Sequence, residues 1–384
     1  SYSGFKNNET ASVIDTAPAA STTATITSNT GTYGISATGG ADNNYSFIYV
    51  DGTLTINKAT VSATADIKSR LYGDANPAFT IAYTGLKNNE TASVIDTAPV
   101  AATTAIATSN VGTYPIAVSG GTDNNYTFTY SAGTLTVNKA TLTATADNKT
   151  RAYGDANPTF TITYSGFKNN ETSSVVDTPP AASTTATVTS GVGTYPISVS
   201  GGTDNNYTFT YASGTLTVAQ AVITATADNK SRLYGDANPA FTISYSGFKN
   251  NETASVLDSA PAASSAATVT SNVGTYPISV SGGQDNNYSF IYTAGTLTVN
   301  KAVLAATADN ASRIYGDANP TFTASYSGFK NNETASVIDT PPAGATIATV
   351  TSNTGSYPIT LSGGLDNNYS RSEEHTSELQ SRLH

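Results

Sequence analysis

Cysteine, methionine and tryptophan are absent from the 384 residues, and histidine occurs only twice. Without cysteine the chain has no disulfide, no thiolate nucleophile and no cysteine-based metal site. Both histidines, His375 and His384, lie in the C-terminal segment 371–384, so the sequence up to Ser370 offers no imidazole for catalysis or metal binding. These absences remove several common catalytic and metal-binding classes before any motif is considered.

Charged residues are scarce as well, at 11% of the chain, and their balance is acidic, with a net charge of −10. Nucleic-acid binding needs clustered Lys and Arg, and no basic run occurs, so no nucleic-acid partner is expected. No apolar stretch reaches the roughly 18 residues that span a bilayer, so no membrane insertion of this fragment is expected. The abundance of Thr, Ser, Ala, Asn and Gly is typical of β-rich extracellular repeats.

Two short motifs recur at a fixed interval. The hexapeptide YGDANP begins at positions 72, 153, 234 and 315, and DNNY begins at 42, 123, 204, 285 and 366, with successive copies 81 residues apart. A fixed period of this length indicates a tandem array of small domains. The predicted repeats, first to fifth, are 1–57 (truncated, its N-terminal part missing), 58–138, 139–219, 220–300 and 301–370 (truncated).

The segment 371–384, RSEEHTSELQSRLH, replaces the residues that continue the other repeats. It resembles a sequencing-library adapter read as codons, and we interpret it as a non-native tail.

Within the third repeat, apolar and polar residues alternate with the period of a β-strand. Threonine on the alternate positions suits a solvent-facing sheet surface. The fold class is therefore all-β, a tandem array of small domains of about 81 residues. We expect an immunoglobulin-like sandwich, with a β-grasp arrangement as the alternative if 168–177 forms a helix across a sheet. Six strands are predicted, which carry Leu142–Ala146, Phe160–Tyr164, Val188, Tyr195–Val199, Tyr207–Tyr211 and Leu216–Val218.

The hexapeptide reads as a turn, because Gly154 tolerates positive φ, Asp155 and Asn157 can bond nearby backbone, and Pro158 begins the next strand. The segment from Glu171 to Asp177 is the one candidate for a helical turn. No linker rich in Pro, Gly or Ser separates the repeats, which predicts stiff connections and a rod of roughly 150 Å.

Carboxylates recur in every repeat, and the third repeat holds Asp147, Asp155, Glu171, Asp177 and Asp204. A glycosidase needs two carboxyl groups with divergent pKa values. Here each carboxylate is copied along the array within a turn motif that already explains it. We therefore predict that the protein is not an enzyme and assign no catalytic, cofactor-binding or metal residue.

Calcium is the one cofactor alternative, because it prefers oxygen ligands. The candidate ligands are Asp155 with Asn157, and Asp204 with Asn205. Asp and Asn in turns are usually present for their own backbone bonding, which is the preferred interpretation. Tyr153, Tyr195 and Tyr207 flank turns and are expected to cap the edge of the core rather than bind a partner.

The third repeat, from KATLTATADNKTRAYGDANPTFTITYSGF to VGTYPISVSGGTDNNYTFTYASGTLTV, resembles the MBG-type (YGX-type) repeat of large bacterial surface adhesins. The resemblance covers residues 1–370. It implies an extracellular or cell-surface protein in which tandem β-domains form a stalk or contribute to attachment to host mucins, glycans or other cells. It supplies no catalytic residues.

We therefore predict a fragment of a bacterial adhesin whose repeats act as a stiff extracellular stalk displaying a distal binding domain. The alternative is that each repeat binds host glycans, mucin or surface proteins weakly and the array gains avidity. A stalk predicts an unbroken polar surface, whereas a binder predicts the same exposed aromatic patch in every repeat. A third class, a self-associating matrix protein, would use exposed sheet edges.

Overall fold

The computed structural model describes residues 1–372, and the predicted tail from residue 373 onward lies outside the described residues. Nearly all regular structure is β-strand. The first repeat contains β1 (Ala19–Thr22), β2 (Gly31–Thr38) and β3 (Gly52–Ile56). The second contains β4 (Ala59–Ala65), β5 (Lys68–Leu71), β6 (Ile81–Thr84), β7 (Val100–Ala102), β8 (Gly112–Ser119), β9 (Tyr126–Ser131) and β10 (Gly133–Asn138).

The third repeat contains β11 (Ala140–Ala146), β12 (Lys149–Ala152), β13 (Ile162–Ser165), β14 (Ala181–Ser183), β15 (Gly193–Ser200), β16 (Tyr207–Ala212) and β17 (Gly214–Ala219). The fourth contains β18 (Ala221–Ala227), β19 (Lys230–Leu233), β20 (Ile243–Ser246), β21 (Ser259–Ser264), β22 (Gly274–Gln284), β23 (Tyr288–Thr293) and β24 (Gly295–Asn300). The fifth contains β25 (Ala302–Ala308), β26 (Ala324–Ser327), β27 (Ala343–Thr346), β28 (Ile359–Ser362) and β29 (Tyr369–Arg371).

The described chain divides into two compact units. One consists of residues 1–147, 160–183 and 198–214, and the other of 148–159, 184–197 and the residues from 215 on. The division runs through the third repeat, so the second repeat lies wholly in one unit and the fourth wholly in the other.

Two sheets make up the second repeat. The first has the order β6-β4-β9, and the second has the order β5-β10-β8-β7. Two neighbouring pairs run parallel, β4 with β9 and β5 with β10, while the remaining pairs are antiparallel. The all-β tandem array is therefore confirmed.

The core of this sandwich lies between the two sheets. Ala63, Ala65, Ile116 and Leu135 are buried there, and Phe128 packs against them. Alternation explains the arrangement, since every second residue of β10 and of the inner end of β8 is buried. The small alanines of β4 let the sheets approach, and burial of a Leu or Ile side chain contributes about 1.5–3 kcal/mol.

Two chain segments cross from one sheet to the other. Residues 66 and 67 connect β4 to β5, and the single residue Ala132 connects β9 to β10. A Cβ on Gly133 would lie 2.5 Å from the carbonyl oxygen of Ala65, so only glycine allows the two crossings to pass this closely. The parallel pairs are thus two bent segments lying side by side.

This strand order differs in detail from the immunoglobulin arrangement, whose sheets are antiparallel. The β-grasp alternative required a helix over 168–177. That segment contains only a three-residue 3-10 turn, Ser173–Val175, as the prediction of a single helical turn stated. Among the described residues no helix is both long and apolar enough to cross a membrane.

The predicted strand around Val188 is wrong. Residues 187–190 form a turn in which the Ser190 amide donates to the Thr187 carbonyl at 3.0 Å and the Thr187 amide donates to Ser190 Oγ at 2.9 Å. Local hydroxyl bonding therefore overrides the alternation of the sequence. Two short strands, β12 and β14, were not predicted, because three or four residues are too few to show a clear alternation of apolar and polar residues.

Candidate functional site at the junctions between repeats

The YGDANP hexapeptide is a turn, as predicted, and a buried arginine holds it in place. In the second repeat Arg70 is 7% exposed, and its Nε donates to Asn76 Oδ1 at 2.7 Å. The Asn76 amide nitrogen in turn donates to the Ala105 carbonyl at 2.7 Å. The charge-assisted bond from Arg70 and the bond from Asn76 together tie the second half of the hexapeptide to one loop of its own repeat.

The first residue of the hexapeptide, Tyr72, projects into the third repeat. Its side chain is 4% exposed, and its hydroxyl donates to Glu171 Oε1 at 2.5 Å. Its ring meets Tyr207 edge to face, with centroids 5.5 Å apart. A phenol of one repeat is thus buried against the aromatic and acidic side chains of the next.

Glu171 joins phenols from two repeats. Its Oε2 accepts a hydrogen bond of 2.6 Å from the Tyr207 hydroxyl, while Oε1 accepts from Tyr72. The Tyr207 oxygen also accepts from the Lys168 amide at 2.8 Å. A carboxylate that accepts two phenols makes stronger hydrogen bonds than a neutral acceptor would. We call this arrangement the Tyr-Glu-Tyr bridge.

The next two residues of the hexapeptide complete the contact. Lys168 Nζ lies 2.9 Å from Asp74 Oδ1, and both side chains remain partly exposed. Gly73 has φ of 80°, and a Cβ at this position would lie 2.2 Å from Lys168 Cβ. Glycine is therefore required both by its left-handed backbone and by the close approach of the lysine stem.

The loop that carries Lys168 and Glu171 has an unusual backbone. Asn169 and Asn170 both adopt positive φ, 53° and 60°, and the Glu171 amide closes the turn by donating to the Lys168 carbonyl at 2.9 Å. Asparagine enters this left-handed region more readily than other residues with a side chain. The turn places the lysine and the glutamate side by side, facing the preceding repeat.

The DNNY motif supplies the rest of the junction. Asp204 Oδ1 accepts from the amides of Asn206 and Tyr207 at 2.7 and 2.8 Å. Asn206 then reaches the preceding repeat, where its Oδ1 accepts from the Val111 amide at 2.9 Å. The two repeated motifs are therefore the two halves of one interface.

The same contacts recur at the three boundaries where a repeat with the hexapeptide is followed by another repeat. The phenol-to-glutamate distance is 2.5, 2.7 and 2.5 Å, and the lysine-to-aspartate distance is 2.9, 2.8 and 2.9 Å. The residues are Tyr72 and Asp74 with Lys168, Glu171 and Tyr207; Tyr153 and Asp155 with Lys249, Glu252 and Tyr288; and Tyr234 and Asp236 with Lys330, Glu333 and Tyr369.

The junction tyrosines are held in their neutral form. Burial, followed by the hydrogen bond to Glu252, raises the pKa of Tyr288 to about 12. Burial and Glu333 raise the pKa of Tyr369 to about 12 as well. Ionisation of either phenol would place a negative charge in a buried position beside a carboxylate. Desolvation of the phenolate and repulsion by the carboxylate both oppose it.

The candidate ligands of the calcium alternative have other partners in the structure. Asp155 Oδ1 pairs with Lys249 Nζ at 2.8 Å, Asn157 Oδ1 accepts from Arg151 Nε at 2.8 Å, and Asp204 caps its own loop. The Asn205 amide donates to Asp177 Oδ2 at 2.9 Å. Within residues 1–372, no group of three or more His, Cys, Asp or Glu side chains is placed to hold a metal ion.

Of the three tyrosines expected to cap the edge of the core, Tyr153 and Tyr207 are buried in junctions between repeats. Tyr153 and Tyr207 are 6% and 2% exposed, and Tyr195 is partly buried with its hydroxyl donating to the Gly191 carbonyl at 2.9 Å. What the sequence interpretation missed is that Lys168 and Glu171 complete the site. Their signal was present, since lysine and glutamate flank Asn-Asn in every repeat.

A second set of tyrosines is exposed. Each lies four residues after the tyrosine of DNNY and stacks on a phenylalanine two residues earlier, with ring centroids 6.1–6.4 Å apart. Three of them lie near the ends of β9, β16 and β23, whereas Tyr49 lies outside any strand. Their exposed fractions are 40–46%. The pairs are Phe47 with Tyr49, Phe128 with Tyr130, Phe209 with Tyr211, and Phe290 with Tyr292.

Comparison with known families agrees with the repeats and motifs. No curated protein matches the chain. The family model described as MBG domain (YGX type) matches five successive segments, 1–55, 60–136, 142–217, 223–298 and 304–374, which cover nearly the whole sequence. The chain therefore belongs to the MBG domain (YGX type) family.

Proposed function

We propose that this chain is a non-catalytic stretch of a bacterial cell-surface or secreted adhesin, in which the repeats form an extracellular stalk that displays a distal binding domain. The observation that carries the proposal is the junction. The residues that distinguish the two motifs form contacts between successive repeats and do not line a cleft with converging reactive groups.

The contacts at the junction suit a stiff connection between neighbouring repeats. A flexible linker lets neighbouring domains reorient, whereas a buried phenol, a shared carboxylate and an ion pair each restrict the orientation of one repeat on the next. Three such junctions act in series, and repeat proteins gain stability from nearest-neighbour contacts of this kind.

A surface-display experiment tests the stalk. The chain would be placed between a cell-wall anchor and a terminal epitope tag, and antibody access to the tag would be compared with arrays that lack one or two complete repeats. We expect access to fall as repeats are removed. A matched array of unchanged length carries Glu171→Gln, Glu252→Gln and Glu333→Gln and should also show reduced access. Antibody access that stays the same after removal of repeats and after the three Glu→Gln substitutions would overturn the proposal of a stalk.

A second function is favoured by the exposed Phe-Tyr pairs. A binding array was expected to present the same aromatic patch in every repeat, and four repeats do present one. Weak sites in a row gain avidity for a multivalent ligand, by factors of about 10²–10⁴. Host glycans, mucin and surface proteins are the proposed partners.

An array of immobilised glycans and mucins, probed with the chain, tests this second function. Binding that is lost when Tyr130, Tyr211 and Tyr292 are all changed to alanine would make the repeats adhesive. Replacing the same three tyrosines by phenylalanine keeps the stacked ring and serves as the control for folding.

A further inference from the structure

The fourth repeat contains an open depression beside its exposed aromatic pair. Its volume is about 520 Å³, and its lining includes Gln220, Asp258, Gln284, Phe290 and Tyr292. That volume falls in the range of small-molecule sites. The whole depression lies within residues 220–300.

Two glutamines set this depression apart. The sequence has three glutamines, and Gln380 is beyond the described residues, so the two described ones, Gln220 and Gln284, both line the same depression. The third repeat has Lys139 and Thr203 at these positions. The fourth repeat thus departs from its neighbour at two sequence positions that the fold brings together.

The change from lysine to glutamine alters the chemistry. Lys139 Nζ donates to the Asp204 carbonyl at 2.7 Å, and the equivalent Lys58 and Lys301 do the same to their own loops. Gln220 Nε2 donates to the corresponding Asp285 carbonyl at 3.0 Å. The ammonium charge is removed, and the Gln220 Oε1 atom becomes an acceptor at the edge of the depression.

Several polar atoms there have no hydrogen bond within residues 1–372. They are Gln220 Oε1, the side-chain amide of Gln284, the side-chain amide of Asn286 and Asp258 Oδ1. The other carboxylate oxygen of Asp258, Oδ2, accepts a hydrogen bond from the Asn286 backbone amide at 3.2 Å. Tyr292 is 40% exposed beside them, and its ring is nearly coplanar in orientation with that of Phe290, at 4°.

We propose that this depression in the fourth repeat binds one neutral sugar ring of a glycan. Amide donors and acceptors together with a carboxylate match the vicinal hydroxyls of a pyranose, and the exposed tyrosine offers an apolar ring surface for its C–H groups. The lining holds the carboxylates of Asp258 and Asp285 and no cationic side chain, which disfavours an acidic sugar. The proposal rests on the second candidate function and confines it to a site that the third repeat does not share.

Saturation-transfer NMR on the full chain tests the site, with the methyl glycosides of galactose, glucose and N-acetylglucosamine as separate probes. We expect transfer to the ring protons of at least one probe. The double variant Gln220→Lys/Gln284→Thr installs the residues of the third repeat, which that backbone already accommodates, and should weaken the binding about tenfold or more. The reciprocal variant Lys139→Gln/Thr203→Gln should raise the number of sites per chain from one to two.

Each outcome has a separate meaning. Binding unchanged in the Gln220→Lys/Gln284→Thr variant would overturn this site while leaving repeat-wide adhesion in place. No transfer to any probe would overturn the site, and glycan-array binding by the same chain would then show whether the second function also fails. A reciprocal variant that gains nothing would overturn the role of the two glutamines.

Discussion

The hydroxyl of Tyr72 donates a 2.5 Å hydrogen bond to Glu171, a residue 99 positions further along the chain and in the following repeat. Because Glu171 also accepts from Tyr207 at 2.6 Å, one carboxylate holds two repeats through two phenols. The YGDANP hexapeptide therefore has two roles: it forms a turn within its own repeat, and its tyrosine contacts the following repeat.

Glu171→Gln should weaken the junction by about 1–3 kcal/mol. Glutamine is neutral and retains one acceptor oxygen, so the charge assistance is removed and one of the two phenol protons loses its acceptor. Hydrogen exchange of the junction amides measures the effect locally. Glu9→Gln is the matched control, since Glu9 accepts from a single phenol among residues 1–372, that of Tyr45. Equal losses at both positions would contradict the bridging role.

Gly73→Ala should cost about 2–5 kcal/mol, because the methyl group meets Lys168 Cβ and the backbone is left-handed. Gly316→Ala separates the two causes. Gly316 has φ of 91° with nothing within 4 Å of its Cβ position, so its substitution should cost only about 1–2 kcal/mol. Urea unfolding of both variants gives the comparison, and equal costs would show that the close approach does not matter.

Asn170→Gly should leave the free energy of unfolding nearly unchanged, whereas Asn170→Val should lower it by about 1–3 kcal/mol. The reason is the φ of 60° at this position, which glycine adopts freely and a β-branched residue does not. Thermal unfolding followed by circular dichroism distinguishes them. A valine variant as stable as the glycine variant would mean that the turn can relax.

Lys249→Met should cost less than about 1 kcal/mol, despite the 2.8 Å distance to Asp155, because both side chains are partly exposed. The methionine keeps much of the apolar stem that packs against the preceding turn. Urea unfolding at low and high salt checks this expectation. A loss larger than that of Glu252→Gln would make the ion pair, and not the Tyr-Glu-Tyr bridge, the main contact.

Stability should fall at high pH. The pKa of Tyr288 is raised to about 12 by burial and Glu252, above the value of 10.0 for an unperturbed phenol. The folded state therefore keeps its proton more tightly, and this contribution is complete below pH 10 and is lost as pH rises towards 12. Urea midpoints across this window, with phenolate absorbance, measure it. Tyr288→Phe should reduce the slope, and an unchanged slope would assign the loss elsewhere.

The sequence was sufficient for the all-β class, the repeat and the turns, because alternation and the Gly, Asn and Pro positions are local properties. It predicted the outward threonines and the burial of Tyr153 and Tyr207 for the same reason. The parallel pairing of β4 with β9 could not be predicted, since it depends on two segments crossing at Gly133. Turn chemistry also explained Asp155 well enough to conceal its pairing with Lys249.

The two halves of each junction lie on different repeats, the hexapeptide on one and the Lys, Glu and Tyr on the next. All three junctions use the same residue types in the same contacts. Any repeat that carries both halves can therefore follow any other, and a gene that gains or loses whole repeats by recombination regenerates a matched interface at the new seam. The length of the array can change in evolution without a new contact having to be selected.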